Sequence, residues 1–200
     1  MKNVMNNSKK VLLMVALFAT VIGYANDNLF TITKSVANKT VLTLDNVKQG
    51  NLFTIKDKNG IVLYKESIQQ GGIYKKGFDL TSLPDGGYFF ELEKDMEITS
   101  IPFTVEANQV SFDKVKSETV FKPVTVVKDD LVFISKLALT ESPLEIEIYL
   151  NDGSGAKVYS EIVSECNNKK IERVFKIVNF KEGDYKIVYK TEGRTFVEFI

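Results

Sequence analysis

Two hundred residues with 26 basic and 26 acidic side chains, no histidine, no tryptophan and one cysteine exclude several chemistries at once. Without histidine there is no Ser-His-Asp or Cys-His catalysis, no imidazole acid–base pair and no His-ligated zinc or copper. The single cysteine, Cys166, rules out an internal disulfide and a thiolate metal cluster, so the fold must rest on its core.

The chain opens with Lys2, Lys9 and Lys10, an apolar run from Val11 to Ile22, and then Gly23-Tyr24-Ala25, with small residues where a signal peptidase reads. A run of about 12 residues is short of the roughly 18–20 that span a bilayer. Residues 1–25 therefore read as a cleaved signal peptide, and the remainder as exported to the periplasm, the cell surface or the medium. No later apolar stretch approaches membrane length, so the mature chain is expected not to span a membrane. Removing three Lys and no acidic residue turns 26 and 26 into 23 and 26, a net of −3. That mixed, mildly acidic surface has no phosphate-neutralising footprint and argues against nucleic acid. Cys166 does not follow the leader, so it is not a lipid-attachment residue; a half-buried small side chain is expected there.

From here on the apolar segments alternate with period two. Phe53 and Ile55 alternate with Leu52, Thr54 and Lys56; Tyr88, Phe90 and Leu92 with Phe89, Glu91 and Glu93; Ile146, Ile148 and Leu150 with Glu145, Glu147 and Tyr149. Such spacing puts one set on a buried sheet face and the other on the outer face. Asn59-Gly60 between two apolar runs is a hairpin signal, and Asp152-Gly153-Ser154-Gly155 takes the matching place later. No segment carries a capped 3.6 period. About seven short strands per half, with turns every ten or so residues, is the pattern of a β-sandwich.

The halves repeat. FDLTSLPDGGYFFEL (78–92) aligns with FKIVNFKEGDYKIVY (175–189) at an offset of 97 without a gap. Upstream the offset is 95: Leu42 and Leu44 fall on Leu137 and Leu139, Phe53 and Ile55 on Ile148 and Leu150, and Tyr64 on Tyr159. A two-residue insertion between Tyr159 and Phe175 reconciles the two. The expected organisation is a signal peptide (1–25), unit 1 (26–106), a linker or bridging strand (107–117) and unit 2 (118–200). Units of about 80 residues have small cores, and packing of one on the other is expected to add stability.

Pro84-Asp85-Gly86-Gly87 leads into Tyr88, and Lys181-Glu182-Gly183-Asp184 into Tyr185. A tyrosine entering a strand after such a corner buries its ring and returns its hydroxyl to upstream backbone in immunoglobulin-like sandwiches. Tyr88, Tyr185, Gly86 and Gly183 are therefore the expected structural corners. The fold class is all-β, two tandem immunoglobulin-like or fibronectin-like sandwich units. An Asn-Gly hairpin followed about twenty residues later by D-L-x-x-L-P-x-G-x-Y also resembles the C-terminal sorting domain of type IX secretion cargo. Residues 53–92 carry most of that resemblance; Gly183, Tyr185 and the closing EGRTFVEFI carry it in the final unit. It implies bacterial origin, an immunoglobulin-like sandwich, and passage of cargo through an outer membrane.

No phosphate-cradling GxxxxGK[ST] loop and no GxSxG elbow occurs. The carboxylate pairs Asp129-Asp130, Glu91 with Glu93, and Glu145 with Glu147 sit at turns or on outer faces, where a solvated charge is expected rather than a catalytic pair. Position twelve of a loop that begins at Asp57 is Ile68, not the Glu of a calcium loop. Phe89 points outward, either as a contact platform or as packing beneath the other unit.

The expectation is a non-catalytic extracytoplasmic protein that binds or scaffolds a protein or glycan at a bacterial envelope, without cofactor or metal. The alternatives are type IX secretion cargo, with the last unit as sorting signal, and a small carbohydrate-binding module.

Overall fold

The computed structural model describes residues 30–34, 39–140, 142–165, 168–177 and 183–200. Residues 1–25, expected to be a signal peptide, Cys166, and Phe180 to Glu182 of the expected second corner lie outside the described residues.

The described residues form strands joined by turns and two single 3-10 turns, at Leu80–Ser82 and Lys114–Lys116. The first strands are β1 (Phe30–Lys34), β2 (Thr40–Val47), β3 (Leu52–Asp57), β4 (Val62–Ser67), β5 (Gly72–Phe78) and β6 (Gly86–Glu93). Then come β7 (Glu97–Glu106), β8 (Gln109–Phe112), β9 (Glu118–Phe121), β10 (Val124–Lys128) and β11 (Leu131–Leu137). The last are β12 (Leu144–Leu150), β13 (Lys157–Val163), β14 (Lys170–Lys176), β15 (Tyr185–Thr191) and β16 (Arg194–Phe199).

Among the described residues all pairings are antiparallel, in four sheets. In the first half, β1-β2-β5 faces a sheet of order β4-β3-β6-β7-β8; in the second, β10-β11-β14 faces β13-β12-β15-β16. The period-two apolar sets fill the space between facing sheets and give two separate cores. Leu42, Leu44, Phe53, Phe90, Leu92 and Phe103 are central to the first, and Val132, Ile134, Ile146, Ile187 and Tyr189 to the second.

The ladders also show how the halves correspond. Phe90 pairs with Ile55 and Ile187 with Ile148, so Ile55 answers to Ile148 rather than to Leu150. Lys76 pairs with Leu42 and Arg173 with Ile134, so Leu42 answers to Ile134. Leu137 and Leu139 are 37% and 55% exposed, and the sequence alignment that set them on Leu42 and Leu44 is corrected here. The cause is one side chain. The position answering to Leu44 is Lys136, a buried lysine, and its polarity makes the neighbouring leucines look like the better match.

Residues 107–117 carry β8, which pairs with residues 103–106 of β7, and β9 from Glu118 pairs with residues 97–100 of β7. Pro102 explains the break between them. Proline has no N–H for the ladder, so two short strands cover the edge of β7 on either side of it. Asp113 N–H still donates to the Pro102 carbonyl at 3.1 Å, and Lys122 N–H to the Met96 carbonyl at 2.9 Å.

Candidate functional site

A cleft of about 430 Å3 lies between the outer face of the first half's larger sheet and the β15–β16 turn of the second. Its floor follows from strand register. Thr54, Glu91, Ser100 and Glu118 form one cross-strand row over β3, β6, β7 and β9, and Lys56, Phe89 and Pro102 form the next. The roof is a two-residue hairpin, because Thr191 pairs with Arg194 across Glu192 and Gly193. Both turn residues have positive φ, 49° and 71°, as a type I′ turn requires, and Gly193 meets that at no steric cost.

The turn splits its charges between the halves. Glu192 accepts from Lys136 Nζ at 2.6 Å, and the Lys136 side chain is fully buried. Arg194 points the other way. Its Nη2 donates to the Glu91 carboxylate and to Ser100 Oγ at 2.9 Å, Ser100 Oγ donates to Glu91 Oε1 at 3.1 Å, and Lys56 Nζ donates to Glu91 Oε2. Burial alone would raise the Glu91 pKa, but the bonds from Arg194 and Lys56 outweigh it and hold the carboxyl below its ordinary value. A carboxylate with both oxygens engaged by cations is a poor proton donor and a poor base. It serves as a fixed anion that ties two sheets together. Phe89 is half-buried and lines the same cleft, as does Gly193.

Glu93, Glu145 and Glu147 are likewise engaged. Glu93 accepts from Lys122 at 2.8 Å. Glu145 and Glu147 share Lys190, and Glu147 also takes Lys157 at 2.8 Å. Lys157, then Lys190, hold Glu147 at a pKa of about 2 against the opposing effect of burial. Sequence reasoning put Glu91 and Glu147 on outer faces as solvated charges; both are buried, and this is corrected here. Outer position does not mean exposure when a neighbouring half or a pair of lysines covers the carboxylate. Asp129 and Asp130 lie in the β10–β11 turn, with Asp129 at φ 54°, and the Asp130 carbonyl accepts from Ile177 N–H. The Asp57 carboxylate takes the amides of Asn59 and Ile61 at 2.9 and 2.8 Å, closing the β3–β4 hairpin. Among the described residues no three His, Cys, Asp or Glu side chains converge to hold a metal ion.

Tyr88 is buried, stacks on Phe103 at 5.3 Å, and donates from Oη to the Pro84 carbonyl at 2.7 Å. A Cβ on Gly86 would meet the Tyr88 ring at 3.8 Å, ordinary contact. Gly183 has φ 89°, donates to the Ile200 carbonyl at 2.8 Å and accepts from Asn151 Nδ2 at 2.8 Å. Tyr185 is half-buried against the second core and exchanges backbone hydrogen bonds with Ile200 at 3.1 and 3.0 Å. The two glycines thus differ: only Gly183 occupies the left-handed region.

Sequence reading missed a cluster that closes the open side of each sandwich. In the first half Tyr64, Tyr74 and Lys76 converge on the Glu66 carboxylate, Tyr74 at 2.9 Å and Lys76 at 2.5 Å, with Tyr64 edge-on to Phe78. In the second, Tyr159 and Arg173 each reach Glu161 at 3.0 Å, with Tyr159 edge-on to Phe175. Its sequence signal is Tyr-x-Glu (64–66 and 159–161) with a cation two residues before a Phe (Lys76, Arg173).

No family model matches the chain, and no curated protein matches it. Among solved structures it is similar to a biofilm-associated protein, BSP domain, with 11% identity and a TM-score of 0.25 over 88% of this chain and 30% of that one. The chain spans less than a third of that structure's length. Among the described residues no helix is long and apolar enough to cross a membrane.

Proposed function

We propose that the protein is a non-catalytic binding or scaffolding protein of the bacterial envelope, built from two immunoglobulin-like units, 26–106 and 118–200, with 107–117 between them. The strand orders β1-β2-β5 against β4-β3-β6-β7, and β10-β11-β14 against β13-β12-β15-β16, support this reading of each unit. They separate strands in the manner of a Greek-key sandwich. One observation carries the functional reading: the buried carboxylate of the cleft between the halves is clamped by Arg194, Lys56 and Ser100. Charge there joins two sheets instead of awaiting a substrate. A tandem of sandwiches held this way presents loops and faces at fixed spacing, which suits recognition and scaffolding.

Cell fractionation with surface proteolysis, followed by retention of envelope extract and a glycan array on the purified protein, tests the proposal. The expected result is a processed chain outside the cytoplasm that retains a protein or glycan. A chain that stays cytoplasmic, or that turns over an envelope substrate, overturns it.

A further inference from the structure

The solvent face of the β10-β11-β14 sheet is apolar where a solvated face should alternate in charge. Val126, Phe133 and Val174 stand in one cross-strand row and are 55%, 38% and 56% exposed. Leu131 and Leu137 extend the patch along β11 on the same side. The corresponding face of the first half is mainly polar, with Thr31 and Thr33 on β1, Thr43 on β2 and Lys75 on β5, and its apolar side chains Val41 and Ile73 fall in different rows. The patch is therefore particular to the second half and not a by-product of the repeated fold.

The charges around it are placed with a definite symmetry. The row on one side of Phe133 is Lys128–Leu131–Lys176, and the row on the other is Val124–Ser135–Glu172. Lys176 and Glu172 are exposed and have no ion pair among the described residues. A two-fold axis lying along the Val126–Phe133–Val174 row stacks that row on its own copy. It also sets each Lys176 over Glu172 of the other copy, giving two ion pairs. An axis along β11 instead would set Lys128 over Lys176, like charge on like. Only the first arrangement satisfies the apolar row and the charges together, and it leaves the strands of the two sheets aligned, as face-to-face sheet packing prefers.

We infer that this face is a homodimer interface, in which a second copy of the chain packs β10-β11-β14 against β10-β11-β14 about a two-fold axis through Phe133. The inference goes beyond the proposed envelope role, since either stands without the other.

Sedimentation equilibrium of the purified protein tests it, with thermal unfolding run on each variant to confirm folding. The expected result is a concentration-dependent dimer, lost in Phe133→Glu at unchanged melting temperature. Lys176→Glu and Glu172→Lys should each weaken dimerisation about tenfold, and the double reversal should restore it. The milder Phe133→Ser covers the case in which the glutamate variant fails to fold. A monomer at every concentration overturns the inference and leaves the face to another partner. A dimer indifferent to Phe133, or single reversals that the double does not rescue, overturns it as well.

Discussion

Arg194 sits at the first position of β16, yet its guanidinium is bonded to Glu91, 103 residues earlier on β6 of the other half. The side chain leaves its own sandwich because the Glu192-Gly193 turn reverses direction just before it, with both residues in the left-handed region. A turn that serves within the second half as an ordinary hairpin thus also supplies the joint to the first. Glu91 has 11% and Arg194 25% of its side chain exposed, so the pair is only weakly screened by salt.

Removing that joint is predicted to cost stability and fixed geometry together. Arg194→Ala leaves Glu91 with Lys56 and Ser100 but without its third donor, a loss of about 2–3 kcal/mol. Small-angle scattering should show a wider distribution of separations between the halves, while the circular dichroism of the strands is retained. A variant with native stability and scattering would mean that the halves are held by something else.

Lys136 offers a sharper energetic contrast. Its counterpart in the first half is Leu44, and among the described residues its one carboxylate partner is Glu192. Lys136→Leu substitutes a well-packed hydrophobe for a buried ion pair, so unfolding free energy should stay within about 1 kcal/mol of native or rise. Glu192→Ala strands the lysine's charge in the core, a cost of about 3–5 kcal/mol. Chemical denaturation of the two variants should therefore give opposite ranks to the two ends of one ion pair.

The same lysine shows where the sequence is legible and where it is not. Alternation, hairpin signals and the Tyr88 region are local, and the strands they imply at 52–57, 86–93 and 144–150 are present. Register between distant strands is non-local. Lys136 hides the buried set of β11, so Leu137 and Leu139 took its place in the alignment. Pro102 was readable as a ladder break only once β7 was known to have neighbours on that side. The burial of Glu91 had no local signal at all, since the cover comes from a turn about a hundred residues on.

Tyr88→Phe removes the hydroxyl that reaches the Pro84 carbonyl at 2.7 Å and leaves the ring stacked on Phe103. The expected loss is about 1 kcal/mol, the net worth of one hydrogen bond. Tyr185→Phe measures whether the second half uses its tyrosine in the same way. Unchanged unfolding in both variants would remove the corner role from either position.

Acid should destabilise the protein through its paired carboxylates, and the sign follows from the direction of their shifts. Lys157 and Lys190 hold Glu147 at about 2 from an ordinary 4.5. Lys76, followed by Tyr64, lowers Glu66, and Glu91 is lowered too, with the bonds from Arg194 and Lys56 overriding burial. A carboxyl whose folded pKa lies below its unfolded one binds fewer protons when folded. Its contribution is complete above the unfolded value and is lost as pH falls through the folded one. Melting temperature should therefore fall progressively between about pH 5 and 2. With no histidine in the chain, no imidazole titrates near neutrality, and the curve should be nearly flat from about pH 6 to 8. Glu147→Gln should melt lower than native at neutral pH and lose less on acidification, because the group that titrates has been removed. If its acid slope matches the native one, the Lys157–Glu147–Lys190 bridge does not contribute to the stability of the folded chain.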